Sequence, residues 1–197
     1  MVKTTMINTK EFRQMQKELE GFDEERESAI ATSRKILHLS KQLIYALHRD
    51  DRQKAKKMLS LITLSFAEAR KQAQKTPGLA SEGFFRVASQ EYVEACSLYW
   101  FITEKRLATR DELETTTEEY LLGVCDVAGE LVRLAVNRII KGDMNSACAI
   151  RDFVSELYSL LLEFSFRNGD LRKKFDSVKY NLQKLEDLVL QIKMQKK

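Results

Sequence analysis

Residues 117–140 read TEEYLLGVCDVAGELVRLAVNRII, and from Tyr120 to Val136 nearly every position is apolar or small. The segment opens with threonines followed by two glutamates. Threonine hydroxyls cap free amide groups, and acids suit the positive end of a helix dipole, so this opening is typical of a helix N-terminus. The pattern ends at Lys141-Gly142-Asp143. A segment this apolar predicts a long helix that other helices cover on most of its sides.

Five further segments carry apolar residues at steps of three and four, which is the spacing of a helix with one buried face. They lie at 36–47, 55–69, 85–102, 148–164 and 171–192, and the last has a heptad seam. Thr109 and Glu112 match a capping box, which predicts one more short helix. The Thr76-Pro77-Gly78 breaker predicts the end of the second helix, and Ser81 is the expected cap of the third. We therefore expect an all-α fold, a seven-helix bundle forming one domain over residues 1–197.

The composition excludes several functional classes. The 197 residues are 44% hydrophobic and 31% charged, which is enough to bury a core. Three cysteines, an odd number in apolar surroundings, indicate buried reduced thiols in a cytoplasmic protein. His38 and His48, the two histidines, are interpreted as ordinary helix residues, so neither a zinc site nor a serine-histidine triad can be built. No apolar run is long enough for a membrane span or a signal peptide. The net charge of +4 permits a nucleic-acid partner without requiring one.

Carboxylates interrupt the apolar helix along one line. Six polar or small residues are spaced alternately four and three positions apart, so they lie along one line of the helix. They are Glu119, Gly123, Asp126, Glu130, Arg133 and Asn137. On the segment 85–102, Glu91 and Glu94 also share one side, beside the aromatic stripe. If these two helices are neighbours, four carboxylates converge, and their repulsion is tolerable only with a bound cation or with some of them protonated. Oxygen-only ligands favour a hard divalent ion, Mg²⁺ or Mn²⁺.

The same pattern has structural interpretations that remain open. Acidic residues at helical spacing usually belong to a solvated face. Arg133 is spaced to form a salt bridge with Glu130 or Glu119. Gly123 and Gly129 are interpreted as positions that allow close packing of helices.

Two blocks of sequence resemble the signatures of the translin superfamily, and in particular those of its X-type subunits. They are Gln90-Glu91-Tyr92-Val93-Glu94-Ala95 and Tyr120-Leu121-Leu122-Gly123-Val124 running into Asp126-Val127-Ala128-Gly129-Glu130-Leu131. Similar positions extend over nearly the whole chain, at Ser33-Arg34, Leu47-His48-Arg49, Asn137, Gly142-Asp143, Leu171-Arg172-Lys173-Lys174-Phe175-Asp176 and Lys179-Tyr180.

The resemblance implies a fold, an assembly and an activity. The fold is a seven-helix bundle of the translin type, and the assembly is a hollow, octamer-like homo-oligomer with no membrane partner. Its partners are single-stranded RNA and also DNA, and X-type subunits cleave RNA with a divalent metal. The catalytic and metal-binding carboxylates carried over are Glu91, Glu94, Asp126 and Glu130.

The sequence departs from the family pattern in two places. Translin has a basic, histidine- and arginine-rich start to its third helix, whereas here Ser81-Glu82-Gly83-Phe84-Phe85-Arg86 contains one arginine. The acidic insert of eukaryotic X-type subunits is absent, because Thr115 leads directly into the next helix. The chain therefore resembles a compact, archaeal-type member that works without a second kind of subunit.

Three functions follow as hypotheses. The first is a Mg²⁺-dependent endoribonuclease that cleaves single-stranded RNA, formed by a homo-oligomer whose interior cavity is lined by carboxylates. The alternative is a non-catalytic protein of the translin type that binds single-stranded RNA or DNA through basic residues. Candidate residues for that contact are Arg34, Lys41, Arg70, Lys71, Arg86, Lys105, Arg106, Arg133 and Arg138. The third is a helical scaffold that associates through the final heptad seam.

Overall fold

Long α-helices joined by short connections make up the protein, for which the computed structural model describes residues 7–76 and 78–195. In these ranges there are six α-helices and no strand. They are α1 (Thr9–His48), α2 (Arg52–Lys75), α3 (Gly83–Glu104), α4 (Thr117–Ile140), α5 (Met144–Leu162) and α6 (Asp170–Gln195). A 3-10 turn spans Leu79–Ser81. The all-α class is confirmed, but the predicted number of seven helices is wrong. Pro77 of the predicted breaker lies outside the described residues.

The missing helix is the short one expected at Thr109 and Glu112. Both capping-box hydrogen bonds form, because the Glu112 amide donates to the Thr109 hydroxyl at 3.1 Å and the Thr109 amide donates to the Glu112 carboxylate at 2.7 Å. The chain then leaves the helical path at Glu114, which has a left-handed φ of 48°. A capping box indicates where a helix can begin but not how far it continues, and here it closes only a turn.

The other predicted caps differ in outcome. Thr116 caps α4 in a complete capping box with Glu119, as the threonine-glutamate pattern predicts. Ser81 does not cap α3, because it ends the 3-10 turn and Glu82 takes the cap position without a side-chain hydrogen bond. The Glu119 carboxylate therefore accepts a hydrogen bond from the Thr116 amide at the start of α4.

The core is centred on α4, which packs against α3, α5 and α6, while α1 packs on α2 and α3. Apolar residues of α4 are fully buried, for example Val127, Ala128 and Leu131. The heptad positions of α6 from Phe175 to Ile192 are buried as well, and α6 contacts α4 and α5. The seam is therefore part of this chain's own core. In the described ranges, no helix is both long and apolar enough to cross a membrane.

The three cysteines carry free thiols, as the composition predicts. Cys96 and Cys125 are buried, and Cys148 is only half-buried.

Gly123 lets α3 and α4 approach closely. A Cβ atom built at this position would lie 2.5 Å from the Val93 Cβ atom and 2.7 Å from the Gln90 carbonyl oxygen. Gly129 is different, because a Cβ there would meet its nearest neighbour, the Asn181 amide nitrogen, at 3.7 Å. Of the two glycines, only Gly123 is required for close packing.

We predict that Gly123→Ala lowers the free energy of unfolding by about 1–3 kcal/mol, because the added methyl group must push α3 away from α4. Chemical denaturation of both proteins measures this difference. Gly21→Ala is the matched control, since nothing lies within 4 Å of a Cβ in this exposed position of α1. That control is expected to stabilise the protein by up to about 1 kcal/mol. An equal increase in the free energy of unfolding from both substitutions would show that Gly123 is not needed for the contact between α3 and α4.

Candidate functional site

The four carboxylates singled out by the sequence pattern line one cleft of about 470 Å³ between α1, α3 and α4. We call it the carboxylate cleft, and its lining residues are Lys41, Ile44, Tyr45, Glu91, Glu94, Asp126, Gly129, Glu130 and Arg133. The close contact of α3 and α4 places Glu91 and Glu94 opposite Asp126 and Glu130. Glu119, on the same line of α4, lies in the capping box instead.

Asp126 is held by partners from two other helices. Lys174 on α6 places its Nζ atom 2.7 and 2.8 Å from the two carboxylate oxygens. Gln90 on α3 donates a hydrogen bond from Nε2 to Oδ2 of the same carboxylate. The carboxylate is therefore fixed in orientation and its charge is neutralised within the chain.

Glu130 is held in a similar way. His48, buried at the end of α1, donates from Nε2 to the Glu130 carboxylate, and the Asn137 side chain lies 3.4 Å from the other ring nitrogen. Arg133 lies 3.7 Å from Glu130, so the predicted alternative of a salt bridge is observed with this glutamate. Burial raises the pKa of Glu130, but the hydrogen bond and charge of His48 outweigh it and leave that pKa below its ordinary value.

Glu91 and Glu94 have no such partners. In the described part of the chain, no side chain forms a hydrogen bond with either carboxylate. Burial raises the pKa of Glu94 to about 8, and the charges of Asp126, Glu91 and Glu130 act in the same direction. Burial also raises the pKa of Glu91, partly opposed by Lys41. At neutral pH the cleft therefore has more acid groups than its internal cations can stabilise in ionised form.

The donor set fits a hard divalent cation. Four carboxylates facing one cleft offer only oxygen ligands, and a cation would favour the ionised form of Glu94, which burial and the neighbouring charges disfavour. In the arrangement described for residues 7–76 and 78–195, no three acid, histidine or cysteine side chains already surround a common point. Binding of a cation by all four acids would therefore require some of their side chains to change conformation.

Of the nine basic candidates for nucleic-acid contact, Lys41 and Arg133 line the carboxylate cleft. Lys105 and Arg138 line a second pocket of about 670 Å³ beside the start of α5. Several of the nine are engaged in ion pairs with acids, namely Arg70 with Glu114, Arg86 with Glu118, Arg106 with Glu104 and Glu112, and Arg138 with Asp50. Arg34 and Lys71 are exposed outside both pockets.

Sequence reasoning missed three residues that touch the acids, which are His48, Lys174 and Gln90. His48 was interpreted as an ordinary helix residue, yet it is buried and bonded to Glu130. Lys174 precedes the core residue Phe175 and lies four positions before Val178. This position beside the buried face of α6 is the feature of the sequence that could have identified Lys174 as a partner of a buried acid.

We predict that Glu94 makes the stability of the metal-free protein depend on pH. Its folded pKa of about 8 lies above the ordinary value of 4.5, so the folded state binds the extra proton between these values. The stabilisation is complete below pH 4.5 and is lost as the pH rises toward 8, by up to about 1.4 kcal/mol per pH unit. Unfolding in EDTA at several pH values, compared with Glu94→Gln, isolates this contribution. Parallel pH profiles for the two proteins would contradict it.

Comparisons with known proteins place the chain in a family. The sequence profile of the Translin family matches residues 24–196. Translin-associated protein X of Pongo abelii is 28% identical over 229 positions, covering 93% of this chain and 77% of that protein. Translin of Gallus gallus is 42% identical over 72 residues, which cover 36% of this chain and only 31% of that protein.

Solved structures have the same architecture. The crystal structure of apo-NeC3PO is 31% identical, with a TM-score of 0.87 over 94% of this chain and 98% of that one. The AfC3PO chain in a complex with duplex RNA is 24% identical, with a TM-score of 0.83 over 94% and 97% of the two chains. The family profile spans the chain from α1 to α6, and the acidic residues of α3 and α4 line one cleft. This protein therefore belongs to the Translin family and resembles its X-type members.

Proposed function

We propose that this protein is a metal-dependent endoribonuclease that cleaves single-stranded RNA. The observation that carries the proposal is the convergence of Glu91, Glu94, Asp126 and Glu130 on one cleft. Strongly shifted pKa values occur preferentially at functional sites, and the raised pKa of Glu94 in this cleft supports the proposal. The likeness to AfC3PO, which has been solved in complex with duplex RNA, supports RNA as the ligand, and the choice of single strands rests on the resemblance to X-type subunits.

The four carboxylates would hold Mg²⁺ or Mn²⁺. A bound ion of this kind supplies an activated water and neutralises charge on the phosphodiester. Asp126 and Glu130 are pre-oriented by Lys174 and His48, so they define one side of the cation site. Glu91 and Glu94 complete the oxygen donor set from the opposite helix.

The cleft's own cations would position the RNA backbone. Lys41 on α1 is exposed, and Arg133 on α4 has a side chain that is 55% exposed. Both lie on the lining of the cleft and can neutralise phosphates that would otherwise be repelled by the carboxylates. Among the four acids, one carboxylate not held by the ion would accept a proton from the attacking water.

We propose a homo-oligomer, octamer-like, whose interior cavity contains these clefts. Exposed apolar side chains on the first half of α1 support subunit contacts, for example Phe12 at 62% and Leu19 at 66% exposure. Membership of the Translin family supports the same assembly. Light scattering on the purified protein measures its mass directly.

The test of the proposed activity is cleavage of a labelled oligoribonucleotide in Mg²⁺ or in EDTA. We predict that Asp126→Asn and Glu94→Gln lower the cleavage rate at least about 100-fold, because each removes a ligand or base from the cation site. Glu118→Gln is the control, since Glu118 lies on α4 outside the cleft, paired with Arg86. Undiminished cleavage by either folded cleft variant would defeat the assignment.

A binding-only protein is the second candidate, and one observation favours it. Asp126 is paired with Lys174 and Glu130 is hydrogen-bonded by His48, so half of the acids already have partners within the chain. In that case the wild-type protein would bind single-stranded RNA or DNA with a steep salt dependence and would cleave nothing at any Mg²⁺ concentration. The same assay, run with binding measurements, separates the two functions.

A prediction independent of activity concerns Lys174. Lys174→Met leaves Asp126 without its internal cation and is expected to lower the free energy of unfolding by about 1–3 kcal/mol in EDTA. If the cleft binds Mg²⁺, adding the ion should recover much of that loss, because a divalent cation replaces the missing charge. Lys173→Met is the matched control, since Lys173 pairs only with exposed Asp170. Equal destabilisation with and without Mg²⁺ would speak against the cation site.

A further inference from the structure

The α1 wall of the carboxylate cleft carries an aromatic ring that the cleavage chemistry does not use. Tyr45 lines the cleft and is 50% exposed. Among the described residues that line this cleft, it is the one aromatic side chain. A flat apolar surface therefore lies beside the acids and open to solvent.

Arg49 holds this ring in place. Its Nη1 atom donates a hydrogen bond to the Tyr45 hydroxyl at 3.0 Å, and its guanidinium carbon lies 5.4 Å from the ring centroid. The two residues are four positions apart on α1, so the contact is local to one helix face. A ring that is already restrained loses little conformational entropy when a flat ligand stacks on it.

Cations are positioned on both sides of the cleft near this ring. Lys41 lies one helical turn before Tyr45 on α1, and Arg133 lies on α4. A nucleotide combines a negative phosphate with a flat base, so it fits a surface that offers cations and an aromatic ring together.

We propose that Tyr45 stacks on an unpaired base of the RNA in the carboxylate cleft and so favours single strands over duplexes at this site. This inference rests on the proposed function. Bases in a duplex are already stacked and paired, so they present no free face to the ring. Because every base has a flat π-face, Tyr45 selects for an unpaired base and not for a particular sequence.

The experiment measures binding without cleavage. Fluorescence anisotropy in EDTA, where the proposed metal-dependent cleavage cannot proceed, follows a labelled oligouridylate and a strand of the same length with the bases removed. We expect Tyr45→Ala to weaken binding of the base-bearing strand about 10-fold, the size of one base–aromatic stacking contact. Binding of the strand without bases should be unchanged. Tyr45→Phe keeps the ring and should bind the oligouridylate within about 3-fold of wild type.

Tyr180→Ala is the matched control, because Tyr180 is exposed on α6 and does not line the cleft. Thermal unfolding of all variants confirms that they fold. A 2-aminopurine base in the strand gives a second readout, since stacking quenches its fluorescence, and Tyr45→Ala should remove that quenching.

Three results would overturn the inference. They are no binding of the oligouridylate by the wild-type protein, equal affinity of wild type and Tyr45→Ala, and an equal loss for strands with and without bases. Its failure is distinguishable from that of the nuclease proposal. A wild-type protein that cleaves RNA while Tyr45→Ala binds normally refutes only the stacking role. A protein that shows the base-dependent effect but never cleaves refutes only the nuclease.

Discussion

The close contact of α3 with α4 at Gly123 is the constraint on which the candidate site depends. Without a side chain at 123, Val93 and the backbone of Gln90 come against α4. Asp126 and Glu130 lie one and two helical turns after Gly123 on α4, and the two glutamates of α3 directly follow Gln90 and Val93, so the acids of both helices line one cleft. Burial and mutual repulsion then raise the pKa of Glu94 to about 8, so without a cation this acid stays protonated at neutral pH. The same helix contact therefore determines both how α3 packs on α4 and where the four acids lie.

Partners on other helices hold two of the four acids in the folded chain. Lys174 reaches Asp126 from α6, and His48 reaches Glu130 from the end of α1. Among the described residues, Asp126 and Glu130 have side-chain partners, whereas Glu91 and Glu94 have none. Because the restraints come from the first and the last helix, the geometry of the cleft depends on the assembled bundle rather than on α3 and α4 alone.

Much of this could be predicted from sequence, because periodicity reports which residues share a face. The apolar face of α6 and the line from Asp126 to Arg133 on α4 were both visible in this way. The pattern could not show which helices are neighbours, so His48 and Lys174, distant in sequence from their partners, were missed. The helix expected at Thr109 failed for a local reason, since the left-handed residue Glu114 follows the cap after a single turn. Seven of the nine basic candidates lie outside the cleft, because isolated charges on helices carry little information about a shared surface.

Glu91, Glu94, Asp126 and Glu130 are proposed to form one binding site for a divalent cation. Its most direct measurement is an anomalous difference map from crystals of the protein grown with Mn²⁺. If the four acids share one cation, the map will have a peak within the carboxylate cleft, with carboxylate oxygens from both α3 and α4 at bonding distance from the ion. A map with no peak there, and with Lys174 and His48 still paired to Asp126 and Glu130, would contradict a shared cation site.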